Sequence, residues 1–424
     1  MNRVAIIGGG ISGLAVLHYI KQRFGDTIET TLFERDSKVG GTIRSLKKDA
    51  CLFEWGPNGF LDNQPASLQL IEELGLSDQL IEAGQQSARR YIQVNGQLQV
   101  IPASPIDFIQ TPLLPTKDKW SLIKGFFKKN ISTDCSIYDY VSQRFSSGIA
   151  ESVVDPFISG IYAGDIKRLH MAAAFPKFKR NGNKKSRMCS FKGGMGQIIE
   201  ALDSRYKQYI KKNSEVDMNS PLFFTKRGIG GVELKEIVIL ATPAYAAVLI
   251  IKNSNPVLAK FLAEIPYAPV AVVGLLFNED SFKKKPDGFG YLIPSKEEKD
   301  ILGVLIESNV YAGRSGKGQV LVRVLLGGAH HPEIINDGEG DLIAKATKEI
   351  NNIYGLVSHP VETIVKAWPK AIPQYELNYP HWRQSVAQEC AKTPGLYLCA
   401  NYLDGISFND CVKNAKSLVD TLSI

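Results

Sequence analysis

Cysteine is scarce and unpatterned in this sequence. The six thiols are Cys51, Cys135, Cys189, Cys390, Cys399 and Cys411; none forms a C-x-x-C pair, and none stands by a histidine at metal-ligand spacing. That argues against zinc and against a disulfide scaffold, and for reduced, mostly buried thiols in a reducing compartment. Histidine is as sparse. There is no H-E-x-x-H, and the adjacent His330-His331 pair lacks helical spacing, so no metal is expected. The uncharged run at residues 237–251 contains Pro243 and is too short to span a bilayer. With a glycine turn already at residue 8, no signal peptide is expected. Neither charge dominates: 50 Lys and Arg against 43 Asp and Glu give a formal +7. This charge is too small and too spread to argue for nucleic acid, although it helps docking to an anionic membrane.

At 424 residues the chain is long for one core, and two or three domains are expected. The most informative stretch is the first. Val4-Ala5-Ile6-Ile7 reads as a buried strand, and Gly8-Gly9-Gly10-Ile11-Ser12-Gly13 follows it as a Gly-x-Gly-x-x-Gly turn into a helix. Gly8 allows the tight turn, Gly10 the approach of a pyrophosphate, and Gly13 close packing of helix on sheet. The helix N-terminus then offers N–H groups to phosphates. A second strand, residues 29–33, ends in Glu34-Arg35, and the acid stands where ribose hydroxyls would be held. An acid there disfavours a 2′-phosphate. The expected ligand is NAD or FAD rather than NADP.

A glycine doublet with an arginine follows, Gly40-Gly41-Thr42-Ile43-Arg44, where backbone amides can approach a cofactor and Arg44 can offset phosphate charge. Gly56-Pro57-Asn58-Gly59 reads as a turn, and residues 68–75 as an amphipathic helix ending at Gly75. Residues 88–101 alternate around Asn95-Gly96, a hairpin with a type I′ turn. Residues 102–180 read mainly helical. Their bulky apolar residues, Trp120 and Phe127 among them, interleave with Lys117, Lys119, Lys124 and Lys128, which suits a monotopic membrane surface and equally an ordinary amphipathic core helix. Residues 191–202 form a glycine turn entering a helix. Residues 209–216 and 220–240 read as strand-like, with further strands at 270–277, 290–293, 301–306 and 320–326 and a helix at 338–355. The chain closes with a strand at 395–401, a turn at Gly405 and a helix at 409–422. That ending is unusual for an NAD dehydrogenase and is what a flavin fold needs.

These residues, with Asp155-Pro156-Phe157-Ile158-Ser159-Gly160, Ala163-Gly164-Asp165, Phe191-Lys192-Gly193-Gly194-Met195, Trp368-Pro369-Lys370-Ala371-Ile372-Pro373-Gln374-Tyr375 and Asn401-Tyr402, carry a resemblance over nearly the whole chain. The sequence resembles the flavin amine oxidase superfamily and, within it, the oxygen-dependent protoporphyrinogen oxidase family with its coproporphyrinogen III-oxidising relatives. The resemblance implies an α/β chain with α+β elements. A discontinuous Rossmann-like FAD domain (1–87, 186–246 and 386–424) would carry a mixed-sheet substrate domain (88–101 and 247–385) and a helical membrane-docking domain (102–185).

By the same matching, FAD would be held by Gly8, Gly9, Gly10, Ile11, Ser12, Gly13, Glu34, Arg35, Gly41, Thr42 and Arg44, with Val216 by the adenine. Gly56, Pro57, Asn58, Gly59, Trp368, Asn401, Ile406, Ser407 and Phe408 would line the flavin ring. Leu292, Leu305 and Leu325 would wall an apolar slot, Arg90 would bind a propionate, and backbone near Gly164 would face the pyrroles. No acid–base residue is named. The implied reaction is a six-electron oxidation of protoporphyrinogen IX with O2, giving H2O2. Coproporphyrinogen III stands as the alternative, and an amine oxidase or carotenoid desaturase as a more distant one. A non-catalytic FAD carrier is a third class, suggested by Ala400 where the family usually has glycine. Implied partners are the porphyrinogen, O2, the inner face of the cell membrane reached from the cytoplasm, and a chelatase for hand-off. A second cation near the slot would favour coproporphyrinogen, with Lys and Arg in 88–92 and 312–330 as candidates.

Overall fold

The computed structural model describes residues 3–49, 51–102, 104–128, 131–175, 186–216 and 236–423. The helical reading at 176–185 and the strand reading at 220–235 fall outside those residues.

Two sheets organise the chain. The first has five parallel strands in the order Ile210–Lys211, Glu29–Phe33, Arg3–Ile7, Glu236–Leu240 and Leu396–Leu398. The strands Arg3–Ile7 and Glu236–Leu240 are apolar after their first residue because both of their faces are covered. Val4, Ile6, Ile237 and Ile239 point into a core with the helices Ile11–Phe24, Gly196–Arg205 and Phe408–Thr421. Ala5, Ile7, Val238 and Leu240 point the other way, onto the helices Ala244–Ile251, Pro256–Ala263 and Tyr379–Ala391. Strand-like character at 209–216 condenses to two paired residues. The closing strand is likewise shorter than its apolar run, Leu396–Leu398 rather than 395–401.

The second sheet has seven strands in the order Glu362–Pro373, Tyr267–Asn278, Gln319–Gly327, Ile301–Ile306, Gly290–Leu292, Tyr91–Val94 and Gln97–Val100. All neighbours run antiparallel except Gly290–Leu292 with Tyr91–Val94. The hairpin turns at Asn95 (φ 50) and Gly96 (φ 74), as a type I′ turn requires. One face of this sheet, with Ala271, Val273, Tyr291, Val304, Val322 and Val324, packs on the helix Glu339–Tyr354. The other face looks toward the ends of the parallel strands.

Between hairpin and nucleotide fold lies a helical segment that includes Pro105–Gln110, Thr116–Phe127, Ile137–Arg144 and Asp155–Tyr162. Leu113 and Leu114 anchor it in the second core. No helix among the described residues is long and apolar enough to cross a membrane.

Candidate functional site

The first glycine turn is a tight joint. A Cβ on Gly13 would lie 2.0 Å from the Gly8 carbonyl oxygen, so only glycine lets the helix sit this close to the strand it follows. Gly10 is the opposite case: a Cβ there would have no heavy atom within 4 Å. The second glycine stretch closes onto the first, with the Gly40 N–H donating to the Gly9 carbonyl at 2.7 Å and Gly41 standing over Gly10. Together they leave a backbone-lined space at the N-terminus of a fourteen-residue helix, a cradle of the shape a pyrophosphate fills.

Glu34 ends its strand at the rim of this cradle. Its carboxylate accepts from the Gly9 and Asp36 N–H groups, both at 2.8 Å, which fixes its direction. The Ser214 N–H donates to the Glu34 carbonyl and brings the half-buried Val216 alongside. Arg35 is exposed beside Asp36. Arg44 donates to the Gly41 carbonyl at 3.0 Å and to Asp36 at 3.2 Å, so it shapes the loop as well as carrying charge.

The loop of Gly56, Pro57, Asn58 and Gly59 is clamped from three sides. Gly56 lies against Thr42: a Cβ there would be 2.0 Å from the Thr42 carbonyl oxygen. The Trp368 indole N–H donates to the Trp55 carbonyl at 2.9 Å, and Arg323 donates to the Gly56 carbonyl. Below the loop, Arg323 pairs with Glu307 at 3.5 Å, and Asn58 donates to the same carboxylate. Next to them Glu54 and the fully buried Arg314 lie 3.7 Å apart. Burial pushes the Glu54 carboxyl up to about 7, although Ser45, the Met195 N–H and Arg314 all favour its charged form. Sequence reading did not find this network. Its members are scattered along the chain, and each alone looks like an ordinary strand or turn residue.

The third wall comes from the end of the chain. Asn401, Tyr402, Asp404 and Gly405 form a turn held by two stacked tyrosines, their centroids 4.1 Å apart. The Tyr375 hydroxyl donates to the Asn401 carbonyl at 2.6 Å and accepts from the Gly405 N–H; Tyr379 does the same between Tyr402 and Asp404. Ile406 leads into Ser407, which caps the final helix in a capping box with Asp410, and Phe408 opens that helix. Ala400 is buried in the second core, with its backbone outside the left-handed region, so its methyl strains nothing in the chain.

The open face of the mixed sheet completes the site. Leu292 and Leu325 both stand opposite Gly303, and Leu305 lies two residues further along the Gly303 strand, so all three leucines share that face. All three are half-buried, and Leu325 packs in a small cluster with Ala163 and Trp368. Gly164 is buried beside Gln374, whose amide donates to the Tyr162 carbonyl. Arg90 precedes the hairpin strand. Alternation with the buried Tyr91 and Ile92 puts it on the slot face, with its guanidinium 4.8 Å from the Phe289 centroid. The other basic candidates sort clearly. Arg89 pairs with Asp287, Arg314 is sealed beside Glu54, Arg323 is committed beneath Gly56, and Lys317 lines a separate cleft of about 1240 Å³.

The pattern of the Flavin containing amine oxidoreductase family matches residues 11–422. The chain belongs to that family. FAD is therefore its cofactor, and the cradle at Gly10, the oriented Glu34 carboxylate and the clamped Gly56 loop fit it. Protoporphyrinogen oxidase 2 of Arabidopsis thaliana is 26% identical, with 99% of this chain and 93% of the relative covered. Coproporphyrinogen III oxidase of Bacillus subtilis is 25% identical over 99% and 97% of the two chains. In three dimensions, a crystal structure from Exiguobacterium sp. 255-15 superposes with a TM-score of 0.82 at 21% identity, covering 99% and 98% of the chains. Reduced UDP-galactopyranose mutase follows at 0.74 and 12% identity, covering 99% and 93%. At these identities the two structures share the flavin oxidoreductase fold, and the protein is an FAD-dependent oxidoreductase of that fold.

Proposed function

We propose that this flavin oxidoreductase is a porphyrinogen oxidase of haem synthesis. The supporting observation is a half-buried apolar wall of Leu292, Leu305 and Leu325 on one face of the mixed sheet, with Arg90 on the same side. A reduced tetrapyrrole is an apolar disc with carboxylates at its rim, and such a wall with a guanidinium at one edge suits it. The relatives named above act on that class of compound.

FAD, held by the glycine cradle, Glu34 and the Gly56 loop, would supply two-electron oxidation of the substrate with O2 as the final acceptor. Three rounds convert one porphyrinogen and three O2 into one porphyrin and three H2O2. The chain's own part is to hold and shield. The leucines exclude water from one face of the macrocycle. Arg90 clamps a propionate, Gly164 and its neighbours offer backbone to the pyrroles, and the residues around Gly56, Trp368 and Asn401 fix the ring against which the substrate lies. No side chain is assigned as a general base.

The same reading sets the protein on the inner face of the cell membrane, handing its product to a chelatase. Ile106, Trp120, Ile123 and Phe127 are exposed, Phe127 at 79%, and they interleave with Lys117 and Lys124. Purified protein should be yellow, should make fluorescent porphyrin from a porphyrinogen in air with H2O2 released, and should leave putrescine untouched. It should also pellet with anionic vesicles and not with neutral ones. Colourless protein, or turnover of the amine alone, rejects the enzyme assignment; equal sedimentation with and without anionic vesicles rejects the docking.

A further inference from the structure

A second cation stands on the slot face, and it comes from a strand that the sequence pattern did not reveal. Lys366 lies on Glu362–Pro373, directly opposite Val272. Val272 is opposite Leu325, Leu325 opposite Gly303, Gly303 opposite Leu292, and Leu292 beside Ile92. One row therefore crosses six strands, with Lys366 at one end and the hairpin strand next to Arg90 at the other. At about 4.8 Å per strand its ends are roughly 24 Å apart, with the Lys366 ammonium over Trp368 of its own strand and the Arg90 guanidinium over Phe289. Between Leu325 and Leu292 stands only Gly303, whose missing side chain leaves room for Leu292 to lie against it, beneath Gly160 of the helix Asp155–Tyr162.

The Lys366 ammonium is on this face. Its Nζ lies 4.8 Å from the centroid of the Trp368 ring, and Trp368 packs in the cluster with Val270, Val272 and Leu325. Among the described residues Lys366 has no carboxylate partner, in contrast to Arg89, Arg314 and Arg323. A half-buried cation held over an indole with no acid beside it is poised for an anion from outside the chain.

We infer that Lys366 is a specificity residue that binds a second carboxylate edge of the substrate, so that the preferred substrate is the tetracarboxylate porphyrinogen rather than the dicarboxylate one. This rests on the porphyrinogen reading. The chemistry follows from the row. Protoporphyrinogen carries its two propionates on neighbouring rings, at one edge of the disc, where a single cation meets them. Coproporphyrinogen carries one on each of four rings, so opposite edges are both anionic. Cations at opposite ends of one flat face match the second pattern. They would leave one of them unpaired against a vinyl edge in the first.

The test compares kcat/KM for coproporphyrinogen III and protoporphyrinogen IX in the FAD-loaded protein. The wild type should favour the tetracarboxylate at least tenfold. Lys366→Met keeps the stem and removes the charge, and should lower that ratio at least tenfold; Lys366→Arg should hold it within about threefold. Equal rates on the two substrates in the wild type, or a Lys366→Met loss that falls equally on both, overturns the assignment while leaving the porphyrinogen reading intact. Oxidation of neither substrate ends both. Should the variants fail to fold, tryptophan quenching by the two porphyrin products in the wild type decides the point, since equal affinity for the four- and two-carboxylate porphyrins also overturns it.

Discussion

The five-stranded parallel sheet is covered by helices on both faces, whereas the seven-stranded mixed sheet is fully covered on one and only partly on the other, where Val272, Leu276, Leu321 and Ile92 are buried but Leu292, Leu305 and Leu325 only half-buried. That difference divides the work of the molecule. With both faces sealed, the parallel sheet can offer a ligand only the turns at its strand ends, and the glycine cradle, Glu34 and the turn at 401–405 all lie there. The mixed sheet leaves part of one face uncovered. It can present a broad wall, and the leucines, Arg90 and Lys366 occupy it. The candidate cofactor site is thus built largely of backbone, and the proposed substrate wall of side chains.

The largest effect should come from breaking the first half of this comparison. Gly13→Val would drive a side chain into the Gly8 carbonyl, 2.0 Å from the new Cβ. Purified variant should contain less than a tenth of the wild-type flavin, read from its 450 nm absorbance; full occupancy would show that the turn can open without loss. Next is the joint between the halves. Arg323→Leu leaves the buried Glu307 with Asn58 but without its cation, and frees the Gly56 carbonyl. The cost should be about 3–5 kcal/mol in denaturant unfolding, as for one-sided removal of a buried ion pair.

The smallest effect is a pH dependence. Glu54 titrates at about 7 in the folded protein against 4.5 for an ordinary glutamate. The folded state then holds a proton that the unfolded state has lost, so stability falls as pH rises from 4.5 to 7 and is level above that. The loss is on the order of 3 kcal/mol. Glu54→Gln should flatten that slope; an unchanged slope would place its origin elsewhere.

The two sheets also differ in how openly the sequence announces them. Residues 4–7 and 237–240 are continuous apolar runs, because strands covered on both sides need apolar side chains at every position. The glycine turn and Glu34 were legible for the same reason: each occupies a position that local geometry dictates. Glu362–Pro373 was not legible as a strand. It is an edge strand with two prolines, and its alternation sets Lys366 among Ile364 and Trp368, so no clean polar face emerges. Lys366 as a site residue was missed with it. The pairing of Arg323 with Gly56, 267 positions apart, leaves no local trace at all.

The stacked tyrosines and the final helix also bear on how the protein is made. The outer strand Leu396–Leu398 completes the parallel sheet, Arg23 donates to the Val419 carbonyl, and Asn409 donates to Leu61. The first helix and the last therefore share one core. A nascent chain emerging from the ribosome has the glycine cradle early, but it has neither the opposite wall of the flavin site nor the cover for its first helix until residue 421 is free. A chain cut short before the final helix would leave the first helix's core open.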